Sequence, residues 1–174
     1  FKNFETPVLD SAPESIAADL YFPYEKGLEF VMYLYDAGEF AAVDSAYKDP
    51  PLSTEQIMHP ERYPADKPMT VSLTGLETIL GENWTLSDQN VMGEWYTFLI
   101  LNKAYQEDFQ LPEKVAHQAS EGWGGDAYAF YLNTVTDEVV FVLDTVWDTT
   151  NDAIEFEKAF TEYANLRWGG SDSQ

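Results

Sequence analysis

The chain reads as an α+β fold, mainly helical, with helices packed on a small antiparallel sheet, a hairpin near residues 127–146 and a C-terminal helix. Three observations predict it. Apolar residues recur at helical spacing through the first two-thirds of the chain; residues 128–146 switch to β-branched and aromatic types; and a helical period returns after Asp148. With 174 residues, 45% of them hydrophobic, the chain can bury one core, and a single domain over 1–174 is expected.

The elements follow in order. Pro13 to Leu20 suits a short helix, which Pro23 should stop or bend at Phe22. Leu28, Val31, Met32 and Tyr35 then follow the i, i+3, i+4, i+7 template, with Phe30, Tyr33 and Leu34 on the other faces. A helix so apolar all round is expected to be central and buried; a strand is the competing reading, and Glu25, Lys26, Glu29 and the Ala-rich stretch Phe40 to Ala46 favour helix. After the break at Asp49-Pro50-Pro51, Ser53 and Gln56 have capping-box spacing, and Leu52 and Ile57 the spacing of a hydrophobic staple. Pro60 ends that turn. Ser87 repeats the pattern more weakly, with Leu86 and Val91 as its staple, ahead of a helix that should bury Val91, Trp95, Phe98 and Leu99.

Leu111-Pro112 starts a helix running through Val115, Ala116 and Ala119 to Gly122. Tyr128 to Leu132 and Val139 to Val146 form the hairpin strands, joined by a polar Asn133 to Glu138 connection, and Met69 to Leu73 is a candidate further strand. Ala153, Phe156, Phe160 and Tyr163 mark the last helix, closed by Gly169 and Gly170.

Composition excludes several functions. The formal charge of -22, from 31 acidic and 9 basic residues, repels phosphate backbones and anionic head groups, so neither nucleic acid nor membrane insertion is expected. A heavily solvated surface explains such acidity most simply; an electropositive partner or bound cations are the alternatives. The absence of cysteine removes disulfides, thiolate nucleophiles and thiolate metal ligands. No run approaches the roughly 18 apolar residues of a spanning helix. The first residue is Phe1 with no basic n-region, so the expectation is that a leader has been removed or that this is the C-terminal part of a longer protein.

Glu55 and His59 lie four residues apart on one face of the short helix. Two ligands do not make a zinc site, and the simpler reading is that they orient one another. His117 gives still less signal. In the run Gly122-Trp123-Gly124-Gly125-Asp126 the glycines imply positive φ angles or close approach of another segment. Backbone N–H groups there could form an anion nest. Glu121 and Asp126 argue against an anion, and Asp126 is expected to accept N–H donors from the loop itself. Asp144, Asp148, Asp152 and Glu155 raise a calcium hypothesis without the ligand pattern of an EF-hand. No nucleophile elbow, P-loop or dinucleotide fingerprint occurs.

The phrases PPLSTEQIMHPERY (Pro50 to Tyr63) and EGWGGDAYAFY (Glu121 to Tyr131) carry a resemblance over most of the chain. They resemble the C-terminal region of a family of secreted, zincin-like bacterial and archaeal proteins. In that family an upstream HExxH segment would supply zinc ligands and base, and no HExxH occurs here. Where the family pattern often has arginine after the aspartate, this chain has Ala127. The resemblance implies an extracytoplasmic setting, secreted or lipoprotein-anchored, and zinc in an absent N-terminal region rather than in this chain. It assigns no catalytic, cofactor or metal residue here. Ser53, Glu55, Gln56, His59, Trp123, Gly124, Gly125 and Asp126 are the candidate structural or functional motif residues.

The expected function is therefore a noncatalytic C-terminal lobe of a metallopeptidase-like protein that shapes or closes a cleft, partnered by its own N-terminal region or by a protein or peptide. A free-standing acidic module binding protein or glycan is the alternative, and a complete carboxylate hydrolase a third.

Overall fold

The computed structural model describes residues 7–104 and 106–169. The architecture is α+β and mainly helical, as the sequence predicts. A short α1 (Pro7–Asp10) precedes the long α2 (Glu14–Lys48), followed by α3 (Thr54–Met58), a 3₁₀ turn at Pro60–Arg62, α4 (Leu76–Leu80), β1 (Trp84–Asn90) and α5 (Gly93–Asn102). After α6 (Glu113–Ser120) come β2 (Trp123–Asn133), β3 (Val139–Trp147) and α7 (Thr150–Trp168).

The sheet is antiparallel, in the order β1-β2-β3. The hairpin of β2 and β3 matches expectation, with Phe130 opposite Phe141 and Trp123 opposite Trp147. β1 replaces the predicted cap at Ser87. The register skips from Leu86 opposite Tyr131 to Asp88 opposite Phe130, so Ser87 is the extra residue of a bulge. Edge pairing with β2 satisfies this backbone as a ladder, which overrides the weak local helix signal. Met69 to Leu73 forms no strand; Met69 makes one ladder-like bond, its N–H donating to the Gly124 carbonyl at 2.6 Å.

The main core lies where α5, α6 and α7 meet: Trp95, Phe98, Leu99 and Leu101 pack with Leu111, Ala116, Ala119, Ala159 and Tyr163. The predicted interiors of all three helices are thus found, except that Val91 and Val115 are exposed. His117 stacks on Phe98, with ring centroids 4.1 Å apart, and its Nε2 lies 3.8 Å from Glu113. Thr149 and Asp152 form a full capping box at the start of α7.

Helix α2 departs most from expectation. Helical dihedrals continue through Pro23, and the break comes instead at Gly38 and Glu39, the latter at φ 53°. That break brings Ala42, Val43 and Ala46 into one cluster with Phe30, Leu34, Ile57 and Tyr63. The helix is not buried all round. Phe30 and Leu34 are covered, while Leu28 (59% exposed), Val31, Met32, Tyr33, Tyr35 and Phe40 (71%) face outward. Near its start α2 packs on α5, with Ala18 and Phe22 against the main core, and further on its Phe30 and Leu34 side packs on α3 and Tyr63; the outward apolar residues between Leu28 and Phe40 have no such cover within the described residues.

Candidate functional site

The two motif phrases, some sixty residues apart in sequence, meet at the N-terminus of α5. Ser53 caps α3, its Oγ accepting from Gln56 N–H at 3.3 Å. Gln56 is buried and reaches both ways, its Oε1 accepting from Leu52 N–H at 2.7 Å and its Nε2 donating to the Asp66 carbonyl. The reciprocal bond therefore falls on the residue before the cap rather than on Ser53 itself. Leu52 is exposed, while Ile57 joins the Phe30 cluster, so the expected staple gives way to packing against α2.

A helix start leaves N–H groups without intrahelical partners. At α5 these are met from both phrases. Asp126 Oδ1 accepts from Met92 N–H at 2.7 Å, its Oδ2 from Gly93 N–H at 2.8 Å, and Thr54 Oγ1 from Trp95 N–H at 3.2 Å. The Trp123 indole also donates to Asp126, at 2.8 Å. Asp126 thus accepts donors, as expected, but they come from α5 and an indole rather than from the glycine loop. The loop itself is mostly strand, since β2 begins at Trp123. Gly125 is required by contact, not by a positive φ: a Cβ there would collide with the Met69 carbonyl. Gly93 is required by both, with φ 77° and Thr54 Oγ1 2.7 Å from where a Cβ would stand.

Beside this junction lies a cluster of charges. Glu55 and His59 do not pair through their side chains, contrary to expectation. His59 Nε2 meets Glu94 Oε1 at 2.9 Å, and Glu55 is bound by Arg62. Arg62 also reaches Asp148 at 3.4 Å and Glu121 at 3.8 Å, linking the first phrase to the second. Glu94 is only 1% exposed, and its Oε2 has no hydrogen-bond partner among the described residues.

Burial pushes the Glu55 carboxyl up to about 7 against the pull of Arg62, with Asp148, Glu94 and Asp66 adding to the rise. His59 is raised above its ordinary value chiefly by the hydrogen bond to Glu94, which outweighs its own burial. Burial and Asp66 raise Asp148 in the same way. A carboxyl that titrates near neutrality beside an arginine can give and take a proton. Glu55, Asp66 and Asp148 also offer oxygens within 4.8 Å of one another, a spacing open to a cation. Arg62 already holds two of those three carboxylates. Of the acids in the calcium hypothesis only Asp148 belongs to this group; Asp152 serves the cap of α7, Glu155 pairs with Asn151 at 2.9 Å, and Asp144 lies exposed on β3.

Of the candidate motif residues, Ser53, Glu55, Gln56, His59, Trp123 and Asp126 lie at or beside this junction, and Gly124 and Gly125 lie against Met69; Arg62, Asp66 and Glu94 were not among the candidates. Arg62 had a signal, as one of 9 basic residues in a chain with 31 acids. Glu94 had none, because nothing in its local sequence points to His59, which is 35 positions away.

Residues 82–174 match the family model of a domain of unknown function, DUF8575. That description carries no activity and no link to a metallopeptidase. No curated protein and no solved structure matches the chain.

Proposed function

The chain belongs to the DUF8575 family, and we propose that it works as a noncatalytic lobe of an extracytoplasmic, metallopeptidase-like protein, docking through α2 and lending the Glu55–Arg62–Asp148 cluster to the wall of a cleft. One observation carries the reading: α2 is apolar on nearly every side, yet Leu28, Val31, Met32, Tyr33, Tyr35 and Phe40 are left in water. So many exposed apolar side chains on one helix support an interaction site there. A groove of about 380 Å³ runs along the same helix, walled by Pro23, Phe30, Val31, Leu34, Tyr47 and Ile57. The resemblance supplies the remainder of the reading, a lobe that follows a zinc-binding segment, with zinc held outside these residues.

Hydrogen exchange tests it. Backbone amides of α2 should exchange more slowly in the complete gene product than in the isolated 174-residue chain, and Val31→Glu should abolish the difference. Equal exchange of α2 in both, or a gene product with no further segment, would overturn the reading.

A further inference from the structure

A separate cavity of about 430 Å³ opens between α5 and the hairpin, lined by Asn90, Tyr96, Ile100, Tyr128, Phe130 and Phe141 among others. Its volume lies in the range of small-molecule sites. One wall is aromatic: the Phe130 and Phe141 rings lie 4.7 Å apart, with Tyr128 at 5.7 Å from the first and 5.9 Å from the second. Tyr96 faces them from α5. Both phenols donate to carboxylates, Tyr96 to Asp19 at 2.9 Å and Tyr128 to Asp88 at 2.9 Å.

Those two bonds decide the chemistry. A phenol donating to an anion gains electron density on its oxygen and ring, which deepens the negative potential of the ring face. Among the described residues no lysine or arginine lines the cavity to offset that potential. The same bonds disfavour a sugar, because each hydroxyl already directs its one proton to a carboxylate and has none to donate to a sugar oxygen, and Asn90 Oδ1 accepts from Val91 N–H at 2.9 Å. The far wall is fixed, since Asp126 holds Met92 N–H at 2.7 Å.

We propose that this cavity binds an organic cation of the alkylated-ammonium class, its methyl groups against Tyr96, Tyr128, Phe130 and Phe141 and its charge balanced by Asp19 and Asp88. None of the lining residues named belongs to α2, and Asp19, the one α2 residue invoked, lies outside the Leu28 to Phe40 stretch on which the docking reading rests.

The test is a calorimetric or NMR titration of the 174-residue chain with choline and, in parallel, with its neutral isostere 3,3-dimethylbutan-1-ol. Choline should bind saturably and about threefold or more tighter than the alcohol. Its affinity should fall as salt rises. Asp88 is exposed, so Asp88→Asn should leave the fold intact while weakening choline and sparing the alcohol. Equal affinity for the two probes, or no saturable choline binding, overturns the proposal. Salt-independent binding of a neutral oligosaccharide at these rings without choline binding overturns it as well and assigns the cavity to glycan.

Discussion

The carboxylate of Asp126, in the middle of the second motif phrase, accepts the N–H of Gly93 at 2.8 Å and so closes the start of α5 from a neighbouring strand. A buried anion at a helix N-terminus gains from the aligned peptide dipoles as well as from its hydrogen bonds. Asp126 is 2% exposed, so water cannot replace it. Asp126→Ala is expected to cost about 3 kcal/mol, because it strands two backbone donors and an indole. Urea unfolding measures this, and an unmoved midpoint contradicts the role.

Ser53→Ala should cost about 1 kcal/mol through loss of the cap on α3. Since Gln56 also ties Leu52 to Asp66, Gln56→Ala should cost more than Ser53→Ala. The ranking of the two unfolding midpoints is the check.

Two glycines should respond in opposite directions. Gly125→Ala would push a Cβ onto the Met69 backbone and should destabilise by about 1–3 kcal/mol. Gly27 sits inside α2 with nothing within 4 Å of a Cβ, so Gly27→Ala should stabilise by about 0.5–1 kcal/mol. Thermal midpoints of the two variants should fall on either side of the parent.

Stability should depend on pH through Glu55. Its folded value, about 7, lies above the ordinary 4.5, so the folded state binds the extra proton between them. The contribution is complete below about 4.5 and is lost as pH rises through about 7. His59, also raised, acts in the same direction, with its share lost as pH rises through its folded value. Relief of charge repulsion on acidification has the same sign. Glu55→Gln isolates the carboxyl: the difference in unfolding free energy between parent and variant should shift in the variant's favour from pH 5 to pH 8. A constant difference would place Glu55 in an ordinary ionised ion pair.

Neighbouring positions on α2 should differ sharply. Phe30→Ala removes a buried ring that meets Tyr63 edge-on at 5.3 Å and should cost about 3 kcal/mol. Leu28→Ala, at an exposed position, should change stability by less than about 0.5 kcal/mol. Equal losses would mean that the outward face of α2 is covered in solution, and self-association measured by sedimentation would then identify the cover.

What the sequence determined by itself was local. Period and composition set the helices at α5, α6 and α7 and the hairpin, because an apolar stripe or a β-branched run specifies its own geometry before any partner is chosen. Ser53 announced its cap for the same reason, since donor and acceptor lie three residues apart. Tertiary contact decided the rest. Ser87 carried a weak cap signal, but pairing with β2 turned its segment into a bulged strand. The periodicity of α2 was legible, whereas its exposure was not, because burial depends on how much partner surface exists and not on how apolar a face is. The charge cluster was least legible of all. His59 found Glu94 and Arg62 found Asp148 across 35 and 86 positions, and long-range pairs of this kind are set by the packing of α3 against α5, which places the 3₁₀ turn and its Arg62 beside the residue after β3.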